Sequence, residues 1–221
     1  IKTKYQKLDG IIHSAGVIQD NFIIKKTVGE IKNVLAPKIQ GIKNIDEATK
    51  EEALDFIIFF SSIASIMGNV GQADYASANA YLDNYARFRN ELKAKGQRQG
   101  AALSINWPLW REGGMQINEE SEKYLAKQWG MLPLPTTEGI KAFEILLNNT
   151  VNQAIVAYGK GEKINATLLY RDKQIQNITA TSEVKINQSA IEKILIEVCS
   201  TQLKLNAADL EADIDLSEYG V

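Results

Sequence analysis

Short apolar runs alternate with amphipathic stretches along the first 160 residues of the chain. Residues 54–60 and 101–107 are almost continuously apolar, and a shorter apolar run at 8–16 ends in small residues. Between these runs, apolar residues recur every three or four positions over 28–39 and 72–95. Short runs bounded by turn residues are typical of buried strands, and the wider spacing is typical of helices. The pattern therefore predicts three strands separated by two long helices.

Weaker signals extend the same alternation to residue 158. The segment Thr27-Val-Gly-Glu30 has the form of a capping box, which predicts that a helix begins there. Helical spacing recurs near 119–128 and 137–147, and Asn152 to Tyr158 predicts a last strand. Strands that alternate with helices predict a parallel α/β sheet with helices on both faces. The predicted fold class is therefore α/β.

The pattern changes after residue 160. The stretch from Arg171 to Ser182 is polar and has no sustained periodicity, so we predict a linker over 161–187. A second capping box at Ser189-Ala-Ile-Glu192 then predicts a helix with an apolar stripe. The region 188–221 is too short to bury a core of its own. We therefore predict an α/β domain over 1–160, a linker over 161–187 and a truncated helical unit over 188–221.

The amino-acid composition indicates which partners and which cellular compartment to expect for this protein. The 221 residues are 45% hydrophobic and 24% charged, and the formal net charge of -2 predicts no nucleic-acid partner. The apolar stretch from Phe56 to Met67 is shorter than the roughly 20 residues that span a bilayer, so we expect no membrane partner. Cys199 is the only cysteine, which excludes an intrachain disulfide. These features predict a cytoplasmic protein.

The segment 60–79 carries the candidate chemistry. Ser62 follows a predicted strand, while Tyr75 and Asn79 lie one turn apart on the next predicted helix. A hydroxyl, a phenol and an amide in this order suit protonation of a carbonyl while a hydride arrives. Taken singly, a tyrosine on an apolar helix face, such as Tyr75, is more often a core residue. A serine after a strand, such as Ser62, is more often a cap or part of a turn. The only histidine, His13, lies inside a strand, which argues against a Ser-His-Asp hydrolase and against a histidine metal site.

Three predicted strand ends should meet at one edge of the sheet. The first ends at Ala15-Gly16, the second at Ser62, and the third in the segment from Asn106 to Met115. Doubly wound sheets bind their ligands outside the carboxyl ends of the strands. We therefore predict a ligand pocket at this edge, and no metal site.

A lysine upstream completes a family pattern. Lys38, in Leu35-Ala-Pro-Lys38, precedes Ser62, Tyr75 and Asn79 at steps of 24, 13 and 4 residues. Ordinary short-chain dehydrogenases/reductases carry Tyr-x-x-x-Lys, whereas here Asn79 stands four residues after Tyr75 and the lysine lies upstream. From Leu8 to Tyr158, the chain resembles the ketoreductase domains of modular polyketide synthases. The resemblance implies the C-terminal part of a Rossmann-like sheet.

The resemblance also implies roles for these side chains. Tyr75 gives the proton, Ser62 donates a hydrogen bond to the substrate oxygen, and Lys38 lowers the pKa of the phenol, which is ordinarily about 10. Asn79 is expected to orient Lys38 and a proton-relay water. NADPH supplies the hydride to a β-ketoacyl thioester. We assign cofactor contacts to residues beyond two strand ends: Ala15, Gly16, Pro108 and Leu109.

Two positions bear on product stereochemistry. Ketoreductases that form the D-configured hydroxyl resemble one another in a Leu-Asp-Asp motif, which is Ile18-Gln19-Asp20 in this chain. Those that form the opposite configuration tend to carry a tryptophan eight residues before the tyrosine, where this chain has Met67. We therefore predict a D-type (B-type) reductase. The alternative is that Asp20 only caps a turn.

The C-terminal region, Ser189 to Val221, resembles the start of an acyl carrier domain. We expect the serine that carries phosphopantetheine just beyond Val221, and we expect this carrier and other domains of the same synthase as partners. No G-x-G-x-x-G motif occurs in the chain, so we expect a fragment that alone neither binds NADPH tightly nor turns over. A non-catalytic, reductase-like scaffold and a stand-alone short-chain dehydrogenase remain as alternatives.

Overall fold

The structure is a computed structural model that describes residues 2–115, 117, 119–168, 196, 200 and 206. The chain divides into two compact units, Ile1–Thr167 and Leu168–Val221. Only four residues of the second unit are described, so the predicted carrier region lies almost wholly outside the described residues. Across the part of the chain that the structure describes, no helix is long and apolar enough to cross a membrane.

The first unit is built from alternating strands and helices, as the sequence pattern predicted. A 3-10 turn at Ile23–Lys25 lies between the first strand and the second helix. The elements in chain order are α1 (Lys2–Tyr5), β1 (Gly10–His13), α2 (Val28–Ala48), β2 (Phe56–Ser62), α3 (Ala64–Met67), α4 (Ala73–Ala94), β3 (Ala101–Trp107), α5 (Glu119–Trp129), α6 (Thr136–Leu147) and β4 (Gln153–Ile155).

The four strands form one sheet in the order β1-β2-β3-β4, and every neighbouring pair is parallel. His13 pairs with Phe59, and Ser62 pairs with Trp107. Because the strands are parallel, their carboxyl ends meet at one edge of the sheet. The prediction of an α/β fold with a Rossmann-like parallel sheet is confirmed, and the edge predicted to hold the pocket carries the end of β2.

Both faces of the sheet are covered because alternate side chains of each strand point to opposite faces. One face packs against α2 and α4 through Ile42, Ile57, Phe59, Leu82, Ala86 and Ala102. The other packs against α6 through Ile58, Leu103, Ile105, Trp107, Phe143 and Leu146. Continuous apolar strands are thus explained by burial on both sides.

The capping box predicted at Thr27 is confirmed. Thr27 Oγ1 accepts a hydrogen bond from the Glu30 backbone N–H at 3.2 Å, and Glu30 Oε2 accepts one from the Thr27 N–H at 2.7 Å. Two of the unpaired N–H groups at the start of α2 are thereby satisfied. This box fixes where α2 begins, and α2 carries Lys38 ten residues later.

Three features differ from the sequence prediction. The last strand is shorter, Gln153–Ile155 in place of 152–158, since only three of its residues pair with β3. The short helix α3 was not predicted, because four residues are too few to show a periodicity. Residues 161–168 are helical, and Ile164 is buried, so ordered structure continues past the predicted boundary at 160.

Candidate active site

Tyr75 lies in the first turn of α4, and its side chain is buried, with 7% of the residue exposed. Its hydroxyl Oη is 3.9 Å from Met115 Sδ and donates to that sulfur. Burial raises the pKa of the Tyr75 phenol, the side chains of Ser62 and Asn79 act in the opposite direction, and the charge of Asp20 adds to the rise. The phenol is therefore protonated at neutral pH, as a proton donor must be.

Ser62 is the last residue of β2, at the carboxyl edge of the sheet. Its Oγ accepts a hydrogen bond from the Ala64 backbone N–H at 3.1 Å, which caps the turn into α3. Because Oγ is the acceptor in this contact, the hydroxyl hydrogen can still be donated to another oxygen. The structural role as a cap and the proposed catalytic role are thus compatible.

Lys38 projects from α2 toward the same edge and is 4% exposed. Its Nζ donates to the Phe60 carbonyl oxygen at 2.9 Å, two residues before Ser62. Burial lowers the pKa of Lys38 to about 8, against the opposing effect of the Asp83 carboxylate. The ammonium is still largely charged at neutral pH, and a charged ammonium favours negative charge on any phenol that lies close to it.

Asn79 is fully buried one turn after Tyr75. Its Nδ2 donates to the Tyr75 carbonyl oxygen at 2.8 Å, whereas Oδ1 is buried and has no hydrogen-bond partner among the described residues. A buried acceptor normally pairs with a donor. The predicted partners of this amide, the Lys38 ammonium and a relay water, are both donors, so Asn79 Oδ1 suits the predicted role.

The residues predicted to contact the cofactor lie beyond the ends of β1 and β3. Ala15 and Gly16 are exposed, Leu109 is half-buried and Pro108 is buried. A Cβ built on Gly16 lies 3.3 Å from Lys38 Cε and 3.7 Å from Lys38 Nζ, so a side chain at this position would crowd the end of the lysine. Open backbone next to a buried ammonium fits the approach of a polar group such as a ribose hydroxyl. The four cofactor contacts remain predictions.

The two residues predicted to control stereochemistry both lie near the start of α4. The exposed Asp20 accepts a hydrogen bond from Gln72 Nε2 through Oδ2 at 2.8 Å. Met67 is the last residue of α3 and is buried. The methionine whose sulfur contacts the Tyr75 hydroxyl is Met115, which was not among the residues predicted for the site. The stereochemical assignment remains a prediction.

A buried polar cluster beneath Ser62 was missed by the sequence analysis. Asp83 accepts hydrogen bonds from Ser104 Oγ at 2.6 Å, Ser65 Oγ at 2.6 Å and Asn106 Nδ2 at 2.9 Å. Asn106 Nδ2 also lies 3.2 Å from the Ser62 carbonyl oxygen. Asp83 stands four residues after Asn79 on α4, a helical spacing that could have revealed it. The cluster ties β3 and α4 to the end of β2.

His13 is buried, and its Nε2 is 3.0 Å from the Pro37 carbonyl oxygen. Burial lowers the pKa of His13, and the charge of Lys38 lowers it further. The imidazole is therefore neutral at physiological pH, in line with a core role beside the predicted pocket. Among the residues that the structure describes, no cluster of three or more acidic, histidine or cysteine side chains could hold a metal.

Known proteins share the sequence and the fold of this chain. The model of the KR domain matches residues 1–112. The polyketide synthase PksN of Bacillus subtilis (strain 168) is 42% identical over 231 residues, which cover 100% of this chain and 4% of that protein.

Solved structures give the same result. A crystal structure of a ketoreductase domain from the bacillaene assembly line has a TM-score of 0.73 and 47% identity, covering 76% of this chain and 40% of its own. An N-terminal ketoreductase from the macrolactin assembly line has a TM-score of 0.66 and 38% identity, covering 76% and 31%. The chain therefore spans less than half the length of these solved structures and about 4% of the length of PksN. The predicted resemblance is confirmed: the chain belongs to the KR domain family, the ketoreductase domains of polyketide synthases.

Proposed function

We propose that the protein reduces a β-ketoacyl thioester to the β-hydroxyacyl thioester during polyketide synthesis. The observation that carries this proposal is that Ser62 ends β2 at the carboxyl edge of the sheet, where the buried Lys38 ammonium donates to the Phe60 carbonyl oxygen and the Ser62 side chain influences the pKa of the Tyr75 phenol. A hydroxyl and a phenol that can both donate to one carbonyl oxygen are what ketone reduction requires. The fixed positions of these groups on β2, α2 and α4 keep the donors preorganised.

The side chains divide the proton chemistry among them. When NADPH is bound, it would supply the hydride that adds to the carbonyl carbon of the substrate. As negative charge grows on the substrate oxygen, Ser62 donates a hydrogen bond to it and Tyr75 transfers its hydroxyl proton to it. The phenolate left on Tyr75 is stabilised by the Lys38 ammonium. In the reacting complex, the Asn79 Oδ1 that has no partner among the described residues is proposed to accept hydrogen bonds from Lys38 and from a relay water that returns a proton to Tyr75.

The cofactor and partners follow from the same family. Ala15, Gly16, Pro108 and Leu109 are proposed to hold NADPH beside Lys38. The substrate is proposed to arrive on the phosphopantetheine arm of an acyl carrier domain, with other domains of the same synthase as further partners. We place the protein in the cytoplasm. No hydride can come from an amino-acid side chain, so the cofactor is part of the proposal.

We propose that the product has the D configuration (B-type). Asp20 keeps the last position of the Leu-Asp-Asp motif, and Met67 stands where a tryptophan accompanies the opposite outcome. Burial raises the pKa of the Tyr75 phenol, and the charge of the Asp20 carboxylate adds to the rise, so this charge lies within electrostatic reach of the phenol. A segment in this position can orient the substrate relative to the tyrosine.

The proposal is tested with the full-length protein. It is mixed with a β-ketoacyl thioester of N-acetylcysteamine and with either NADPH or NADH, and the hydroxyl product is separated on a chiral column. We expect faster reduction with NADPH and mainly the D product. Absence of any hydroxyl product contradicts the ketoreductase assignment, whereas mainly L product contradicts only the B-type assignment.

A further inference from the structure

A buried ion pair joins Lys26 to Asp74 directly beside the candidate active site. Lys26 Nζ and Asp74 Oδ2 are 2.6 Å apart, and only 1% and 4% of the two side chains are exposed. Lys26 follows the 3-10 turn before α2, and Asp74 immediately precedes Tyr75 on α4. The ketoreductase chemistry proposed above uses neither residue.

Each member of the pair makes a second contact that extends the link. Lys26 Nζ also donates to the Gln19 carbonyl oxygen, next to Asp20. Asp74 Oδ1 accepts the Tyr75 backbone N–H at 2.9 Å. The chain of contacts therefore runs from the backbone beside Asp20, through two charged side chains, to the backbone of Tyr75.

Two further contacts connect the same two segments. The Asn21 backbone N–H donates to the Gly71 carbonyl oxygen at 3.0 Å, and Gln72 Nε2 donates to Asp20 Oδ2 at 2.8 Å. A Cβ built on Gly71 lies 3.5 Å from the Asn21 backbone nitrogen, so the two backbones approach closely. Residues 19–26 and 71–75, which we call the orienting unit, are therefore held together by three contacts: Lys26–Asp74, Asn21–Gly71 and Asp20–Gln72.

Stability alone does not explain a buried ion pair. Removing two charges from water costs about as much free energy as their attraction returns, and well-packed apolar residues often replace such pairs without loss. What a buried pair does supply is a fixed geometry, because a charged hydrogen bond of this kind tolerates little displacement. The position of this pair, between Asp20 and Tyr75, indicates which geometry it fixes.

We propose that Lys26 and Asp74 are positioning residues that hold the Asp20 segment at a fixed distance from the Tyr75 hydroxyl, and so restrict the substrate to one face of its carbonyl. The inference rests on the proposed reduction, in which the proton donor approaches one side of the ketone. If the Asp20 segment moves independently of Tyr75, both orientations of the substrate become available and the minor hydroxyl enantiomer increases.

The test uses Asp74→Asn in the full-length protein. The amide keeps an oxygen that can accept the Tyr75 N–H but removes the charge that holds Lys26. The matched control is Asp46→Asn, which neutralises a second buried pair between α2 and α4, where Asp46 Oδ1 is 2.8 Å from Arg89 Nε and the side chains are 3% and 1% exposed. Both variants remove one buried carboxylate charge, but only one of them touches the orienting unit.

The readout is the ratio of hydroxyl enantiomers formed from a β-ketoacyl N-acetylcysteamine thioester. A general loss of folded protein lowers the amount of product without changing this ratio. For Asp74→Asn we expect the minor enantiomer to rise roughly tenfold, equivalent to about 1.4 kcal/mol of discrimination between the two transition states. For Asp46→Asn we expect the wild-type ratio.

Other outcomes separate this inference from the proposed function. An unchanged ratio in Asp74→Asn, or a wild-type product that is already racemic, overturns the inference. If Asp74→Asn does not fold, the double variant Lys26→Met with Asp74→Asn leaves no unpaired buried charge, and its ratio decides in the same way. A wild-type protein that forms no hydroxyl product contradicts the proposed reduction instead.

Discussion

At the scale of single residues, Lys38 shows how burial sets the conditions for the proposed chemistry. Its ammonium is buried and donates to the Phe60 carbonyl oxygen, and its charge interacts with His13 on β1 and with Asp83 on α4. Burial lowers the pKa of Lys38 to about 8, although Asp83 opposes this shift. Charge on Lys38 is therefore lost within the range in which the enzyme can be assayed.

This pKa predicts a pH dependence for reduction. As the pH rises through about 8, Lys38 loses its proton, and the phenolate forming on Tyr75 loses its stabilisation. We expect kcat/KM to fall above about pH 8 in the wild-type protein. In Lys38→Arg, whose guanidinium stays charged, any remaining activity should persist to higher pH. The same descending limb in both proteins contradicts the role given to Lys38.

Asp83 provides an independent test of the same electrostatics. Because its carboxylate raises the pKa of Lys38, Asp83→Asn should lower that pKa and move the descending limb to lower pH. The control Asp46→Asn removes a carboxylate from the far part of α2 and should leave the limb in place. A pH profile of kcat/KM for the three proteins measures the shift, and an unmoved limb in Asp83→Asn shows that its charge does not reach Lys38.

Site residues could be predicted from the sequence where their spacing along the chain forms a known pattern. Residues that are brought together only by the fold could not be predicted. Lys38, Ser62, Tyr75 and Asn79 were singled out because their steps along the chain form a pattern. The Lys26–Asp74 pair joins residues 48 positions apart, and no local rule relates them. Such a pair becomes visible only when the fold places the two segments together.

At the scale of elements, the strands and long helices were predictable because their burial leaves a repeated pattern. β3 was predicted at its observed bounds since all but its first residue are buried, and α2 was predicted from its capping box. α3 was not, because a four-residue turn has no measurable period. β4 was overestimated because apolar character continues past the residues that pair with β3.

The start of β3 depends on Gly100. Its φ is +78°, in the left-handed region, and a Cβ there would lie 2.7 Å from the Leu54 carbonyl oxygen. Gly100→Ala therefore adds a clash with the backbone to the about 1–3 kcal/mol that such a conformation costs other residues. We expect amide exchange in β3, followed by mass spectrometry of the full-length protein, to become much faster.

Gly96→Ala is the matched control for this change. Its φ is +71°, but no atom lies within 4 Å of a Cβ built there, so the variant carries the backbone strain without the clash. In Gly96→Ala, we expect amide exchange in β3 to be at least about tenfold slower than in Gly100→Ala. This factor corresponds to a difference of about 1.4 kcal/mol in opening free energy. Equal exchange in the two variants shows that the contact with Leu54 is unimportant.

At the scale of the whole molecule, the candidate site lies where three elements pack together. Ser62 comes from the end of β2, Lys38 from α2 and Tyr75 with Asn79 from α4, and the parallel sheet places these parts at one edge. The alternation of strands and helices predicted that edge, since parallel order follows from it. The depth of burial of Lys38 and Asn79 could not be predicted, because it depends on how α2 and α4 pack together.

Tyr75→Phe tests the central claim, that Tyr75 donates the proton in ketone reduction, most directly. The full-length variant lacks only one hydroxyl, and Tyr81→Phe is its control because Tyr81 is a half-buried tyrosine on the same helix. Formation of hydroxyl product from a β-ketoacyl thioester and NADPH should fall about 10²–10⁴-fold in Tyr75→Phe and stay near the wild-type rate in Tyr81→Phe. A wild-type rate in Tyr75→Phe contradicts the account.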